Sequence, residues 1–212
     1  MAASVICISR SAGSLGPAVA RAVAEQTGFA FIDEEIIATA AQKEGLDPEV
    51  VADAEERRSF LVRLLDSGAG TGAMDVGVAP YMLGPEGGGP SPTERYRVLI
   101  REAVSDAADR GHVVICAHAA SIALAGRDGV LRVLVTASPG LRARRLADEY
   151  GLDGREAERM VKREDGSRAD YLKRFYDVGQ ELPIHYDVVV STDQLSAEQA
   201  TSVILSAAQT VE

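Results

Sequence analysis

The feature that most constrains this chain is its first turn, Val5-Ile6-Cys7-Ile8-Ser9-Arg10-Ser11-Ala12-Gly13-Ser14-Leu15-Gly16-Pro17. A short run of β-branched and apolar residues reads as a buried strand. Small residues and glycines follow, with Pro17 at the first position of a helix. The helix continues through Ala18-Val19-Ala20-Arg21-Ala22-Val23-Ala24-Glu25-Gln26, and Gly28 stops it. A strand, a glycine-bearing turn and a helix start together form an anion cradle. Backbone N–H groups point at the anion, and the helix N-terminus favours its charge. The spelling is neither G-x-x-x-x-G-K-[ST] nor G-x-G-x-x-G. Aligned on the helix start, Gly16 stands near the lysine position and Ala18 near the hydroxyl position. An ordinary strand–turn–helix of an α/β protein fits the turn equally well, so the rest of the chain has to decide.

That rest alternates strands and helices. Phe29 to Asp33 reads as a strand, Glu34 to Lys43 as a helix closed by Gly45, and Asp47-Pro48 opens another helix that ends near Leu65. Residues 66–92 hold eight glycines and prolines at 80, 85, 90 and 92, a density that excludes a regular element. A connection of that length is either functional or mobile. Thr93 opens an amphipathic helix ending near Gly111. His112 to Ala117 is a buried strand with His118 just past its end. A short helix spans 119–125, a strand 131–136, and a helix from Ser138 carries Arg142, Arg144 and Arg145 to Gly151. Asp153 caps a helix reaching Arg163 or beyond. A strand from Tyr186 to Thr192 and a helix from Ser196 to Val211 complete the chain. Strands apolar on both faces and alternating with helices specify a three-layer α/β fold, a parallel sheet covered by helices on both faces. We read one domain over 1–212, with the Gly/Pro-rich loop at 66–92 and a lid-like helical segment at 153–176.

The chain has 212 residues and is 46% hydrophobic, enough for one sizeable core, which the lack of Trp leaves to Ala, Val, Leu and Ile. Its net charge of −10 argues against a nucleic-acid polymer or an acidic membrane as partner. A small phosphate ligand is compatible with it, because local arginines can serve one. Cys7 and Cys116 lie in apolar strands and read as buried thiols of a reducing compartment. With no bilayer-spanning run and no signal-peptide pattern, the expectation is a soluble cytoplasmic protein.

Six stretches, taken in order, resemble the cytidylate kinase-like family of P-loop nucleoside monophosphate kinases. Ile6-Cys7-Ile8-Ser9-Arg10 with Gly13-Ser14 resembles its I-S-R…G-S start. Gly28 to Ile37 resembles G-x-x-F-x-D-x-E-L-I, and the glycine-rich segment is in the matching place. Val113 to Ala120 resembles V-I-V-G-R-G-A. Arg142 and Arg145 resemble its fourth-helix arginines, and Asp165-Gly166-Ser167-Arg168 with Tyr171 and Phe175-Tyr176 resembles its lid. The resemblance covers nearly the whole chain. It implies ATP–magnesium as phosphoryl donor and a nucleoside monophosphate as acceptor, facing each other across the strand C-termini.

Carried over, it assigns Ser11, Gly13, Ser14 and Gly16 to the ATP phosphates, with Arg142 and Arg145 beside them. Arg163, Arg168 and Asp165 belong to the catalytic lid, and Asp33 and His118 to the acceptor side. No protein metal ligand set is implied, and self-association stays open. Each residue also has a plainer reading: exposed helix charge for the arginines, a helix cap for Asp33, a strand-end residue for His118, packing for the aromatics. The chain departs from the family at Leu15, Gly16 and Pro17, where further glycines and an arginine are common, and at His118, where arginine is usual. These departures motivate a second reading, a kinase-like fold that binds or regulates without catalysing.

Overall fold

The computed structural model describes residues 3–33, 102–117 and 119–211. The helices expected over 34–43 and 47–65, the segment 66–92, the start of the helix opened by Thr93, and His118 lie outside the described residues.

Five strands form one fully parallel sheet: β1 (Val5–Arg10), β2 (Ala30–Asp33), β3 (Val113–Cys116), β4 (Val130–Thr136) and β5 (Val188–Ser191), in the order β2-β3-β1-β4-β5. All six residues of β1 are buried, as the centre of such a sheet demands. Pairing runs Ile8 opposite Cys116 on one side and Val133 on the other. The alternation of a strand splits the core in two. Val5 and Cys7 face a cluster with Ile115, Leu124 and Ala103, Val104 and Ala107 of helix α2 (residues 102–110). Ile6 and Ile8 face Val19, Ala20 and Val23 of α1 (Gly16–Thr27) and Ala200 and Ile204 of α6 (Ala197–Ala208). Three layers result, as expected. A short α3 (Ala120–Ala123) follows β3.

Helices α4 (Pro139–Tyr150) and α5 (Gly154–Tyr176) pack together beside the sheet through Ala143, Leu146, Ala157 and Val161, with Ala12 of the first turn against them. This small cluster is what carries α5 to the turn. One unbroken helix, about 34 Å long at 1.5 Å per residue, spans both the helix expected after Asp153 and the lid-like stretch beyond it. Asp153 accepts from the Glu156 N–H and Glu156 reaches back to the Asp153 N–H, a capping box that fixes where α5 begins. α6 ends at Ala208, short of the expected Val211, and β5 is trimmed at both ends. Both cysteines are buried outside any disulfide. Among the described residues no helix is long and apolar enough to cross a membrane.

Candidate active site

The chain leaves β1 towards β2 and leaves β3 across β1 to β4, so the winding reverses at β1. Ligands of open α/β sheets bind at such a reversal, outside the strand C-termini. The turn after β1 lies there. The Ser11 N–H donates to Val135 O (3.2 Å), prolonging the β1–β4 pairing, and the Ser14 N–H donates to Ser11 O (3.1 Å), closing the turn. Gly13 has φ 75° and Leu15 φ 64°, both left-handed. A Cβ at Gly13 would stand 2.7 Å from Arg142 O, so glycine is required there by conformation and by space. At Gly16 a Cβ would meet Arg10 Cβ at 2.4 Å. Gly16 thus admits the buried Arg10 stem, a packing need that the motif alignment does not reveal. α1 begins at Gly16, with Leu15 as N-cap and Pro17 one position later than expected, still where no intrahelical N–H partner exists.

The carbonyls of the turn are tied from outside. Arg168 Nη1 donates to Arg10 O (3.1 Å), Arg142 Nη1 to Ala12 O (3.3 Å) and Arg145 Nη1 to Gly13 O (3.2 Å). Thr192 Oγ1 donates to Ser14 O (2.9 Å). A trans peptide points its C=O and the next N–H in opposite directions. Holding these oxygens towards α4, α5 and β5 therefore turns the Gly13 and Leu15 N–H groups to the other side of the turn, at the head of α1. That is a backbone nest suited to an anion. The buried Ser14 Oγ has no hydrogen-bond partner among the described residues. An orphaned buried hydroxyl beside these N–H groups fits a polyphosphate, which offers acceptor oxygens.

The same arginines meet carboxylates. Arg142, 4% exposed, holds Asp165 through both oxygens (2.9 and 2.6 Å) and reaches Ala137 O through Nε (3.1 Å). Arg168, 7% exposed, holds Glu181 the same way (2.9 and 2.5 Å) and donates to the Tyr186 hydroxyl, which itself donates to Glu181. Such two-pronged pairs are the strong form of charged hydrogen bond. They wall a cavity of about 330 Å³ that opens beside Ser11 and is bounded by Leu172 and residues 178–181. Arg145 binds Thr192 Oγ1 (2.9 Å) and Thr192 O (2.8 Å). In this arrangement most guanidinium donors of Arg142 and Arg168 are engaged by protein acceptors.

Of the expected site residues, the structure brings together Ser11, Gly13, Ser14, Gly16, Arg142, Arg145, Asp165 and Arg168. The Ser11 hydroxyl shares a hydrogen bond with Thr136 Oγ1 (3.2 Å). Arg163 is half-exposed on α5, its ion pair being with the neighbouring Glu164 (3.5 Å), and it does not line the cavity. Asp33 is buried at the end of β2, level with Cys116. That level matches Ile8 of β1, two strand spacings or about 10 Å away. His118 lies outside the described residues. Sequence reasoning missed Glu181, Tyr186 and Thr192. Only Thr192 had a signal, a hydroxyl residue closing an apolar strand beside the expected ligand edge.

Comparison with solved structures shows the fold. An uncharacterized protein from Eubacterium ventriosum ATCC 27560 superposes with a TM-score of 0.63 at 16% identity, covering 97% of this chain and 98% of that one. Shikimate kinase from Bacteroides thetaiotaomicron gives 0.51 at 15% identity over 96% and 95%. Shikimate kinase from Acinetobacter baumannii, in complex with shikimate, gives 0.50 at 14% over 96% and 91%. The sheet and its nest are thus set in a P-loop kinase fold. A search of curated protein sequences gave no match. The family model for the cytidylate kinase-like family matches residues 5–194, the whole sheet and both helices of the arginine cluster, and the chain belongs to that family.

Proposed function

We propose that this protein binds ATP through the turn 11–16 and transfers its terminal phosphoryl group to a nucleoside monophosphate such as CMP, in the cytoplasm. The observation that carries the reading is the nest. The Ala12 and Ser14 carbonyls are held from outside the turn, which leaves the N–H groups of Gly13 and Leu15 on the same peptides facing the other way, and the buried Ser14 hydroxyl lacks a partner among the described residues. Phosphoryl transfer asks a protein mainly for positioning and for positive charge around the moving group. When bound, magnesium-ATP supplies that group and part of the charge neutralisation. The chain's own part begins with the N–H groups of the turn, which hold the donor phosphates without a lysine.

Arg142 and Arg168 bring fixed positive charge to the edge of the turn, and their planar forks suit phosphate oxygens as they suit Asp165 and Glu181. Among the described residues no cluster of three or more His, Cys, Asp or Glu could hold a metal by itself. Magnesium is commonly held by one or two carboxylates, waters and substrate phosphates, so the nucleotide would supply part of its shell. Asp33, at the end of β2, would serve the acceptor or that ion.

One observation favours the second reading, a binding or regulatory protein without turnover. Gly16 and Ala18 leave the turn without side-chain cation or hydroxyl at its head, and both buried arginine forks are closed by carboxylates. ADP formation from ATP and magnesium with a panel of nucleoside monophosphates separates the two. Turnover with a monophosphate is expected. ATP binding without turnover for any acceptor would establish the second reading.

A further inference from the structure

Thr192 closes β5 and is 1% exposed. Its N–H donates to Thr136 O (2.8 Å), and its carbonyl accepts from Arg145 Nη2 (2.8 Å). Its hydroxyl accepts from Arg145 Nη1 (2.9 Å) and has one proton to give. Two acceptors are near: Ser14 O at 2.9 Å and Thr136 O at 3.3 Å. The shorter contact, to Ser14 O, is the better hydrogen bond. A residue 178 positions away in sequence thus grips the peptide between Ser14 and Leu15.

That peptide carries the site's conformational anomaly. Leu15 has a Cβ and yet sits at φ 64° as the N-cap of α1, with no side-chain cap to hold it. Non-glycine residues keep such a conformation only where the surroundings impose it, and such residues gather at functional sites. Here the imposed element is visible. With Ser14 O drawn towards β5, the Leu15 N–H points the opposite way, into the nest.

We propose that Thr192 is a positioning residue for the phosphate turn: its hydroxyl, oriented by Arg145, holds the Ser14–Leu15 peptide so that the Leu15 N–H is presented to the nucleotide's phosphates. The inference deepens the ATP reading and rests on it for the ligand, but the brace itself can be judged without ligand. Thr192 touches no phosphate. It acts through the turn.

The test uses the full chain as wild type, Thr192→Val, Thr192→Ser and the double variant Thr192→Val/Leu15→Gly. ATP affinity is read by calorimetry, and the Leu15 backbone by amide NMR with and without ATP. Losing a hydrogen bond and leaving its buried partner unmet predicts a roughly tenfold weaker ATP Kd in Thr192→Val. Thr192→Ser, which keeps the hydroxyl, should stay within about threefold of wild type. The double variant should recover part of the loss, because glycine adopts left-handed φ without the brace. The ATP-induced shift of the Leu15 amide should shrink in Thr192→Val.

Wild-type binding with Thr192→Val equally tight would overturn the positioning role while leaving the ATP reading intact. No wild-type binding would defeat the ATP reading instead. The ligand-free spectra then decide the brace: Leu15 leaving the left-handed region in Thr192→Val supports it, and an unchanged Leu15 φ overturns it.

Discussion

Replacing Glu181 by Gln separates stability from affinity in this site. In the wild type, Glu181 closes the fork of Arg168, with side-chain exposures of 23% and 6%. Removing one partner of a fully buried ion pair costs about 3–5 kcal/mol. Glu181 is partly solvated, and Gln keeps an acceptor oxygen, so the expected cost is about 2 kcal/mol. For a chain of this size that lowers Tm by about 4–8 °C. ATP binding should move the other way. If Arg168 serves the phosphates, they must displace Glu181 from its fork, and removing the carboxylate charge removes that competition. Each 1.4 kcal/mol of competition relieved is a factor of ten, and we expect ATP affinity to rise about tenfold. Thermal melts and calorimetry on the same two proteins give both numbers. A lower Tm with weaker ATP binding would refute the reasoning, because Glu181 would then be orienting Arg168 for phosphate. An unchanged Tm would refute the assignment of stability to this pair.

Three further outcomes follow from the geometry. Gly16→Ala must displace the Arg10 stem, its Cβ falling 2.4 Å from Arg10 Cβ. It should cost about 1–3 kcal/mol of stability in a denaturant melt, and a stability within error of wild type would contradict the packing. Burial pushes the Asp187 carboxyl up, but hydrogen bonds from the Arg132 side chain and N–H, with its charge, outweigh this and hold it below its ordinary value. Because the folded value is the lower one, the pair's stabilisation is present above the ordinary carboxylate range and is lost as pH falls through the folded value. Tm measured from pH 7 to pH 3 should therefore show Asp187→Asn less stable at neutral pH, the gap closing at the acid end; a gap independent of pH would contradict the linkage. Burial pushes the Cys7 thiol up to about 12, so a thiol reagent at pH 8 should label Cys7 only after unfolding, and rapid labelling of the native protein would contradict its place in the core.

The sheet was legible because its strands carry the signature of burial on both faces. Ile6 and Ile8 had to face one layer and Val5 and Cys7 another, as a sheet covered on both faces requires. The turn was legible as a strand–glycine–helix unit, and Arg142, Asp165 and Arg168, which the resemblance assigns to the site, lie near it. What those arginines do there was not legible. Arg168 reaches Arg10 O across 158 positions and Arg145 reaches Gly13 O across 132. Contacts of that span leave no periodicity in the sequence, because they arise only when α4 and α5 dock through Ala143, Leu146, Ala157 and Val161. Glu181 and Thr192 were missed for the same reason. Leu15 stands in the stretch where the family commonly has further glycines and an arginine. Its left-handed φ shows that the turn keeps that shape with a leucine, an outcome set by tertiary contacts over local preference.

The central claim is that the nest holds a nucleotide's phosphates, with Arg168 at its edge. The direct measurement is calorimetry of ATP binding with and without magnesium, on the wild type and on Arg168→Ala shown by its melt to be folded. The account predicts binding that strengthens with magnesium and weakens about tenfold or more in the variant, the loss of a charged hydrogen bond to phosphate. No heat of binding at millimolar ATP, with or without the ion, would contradict it.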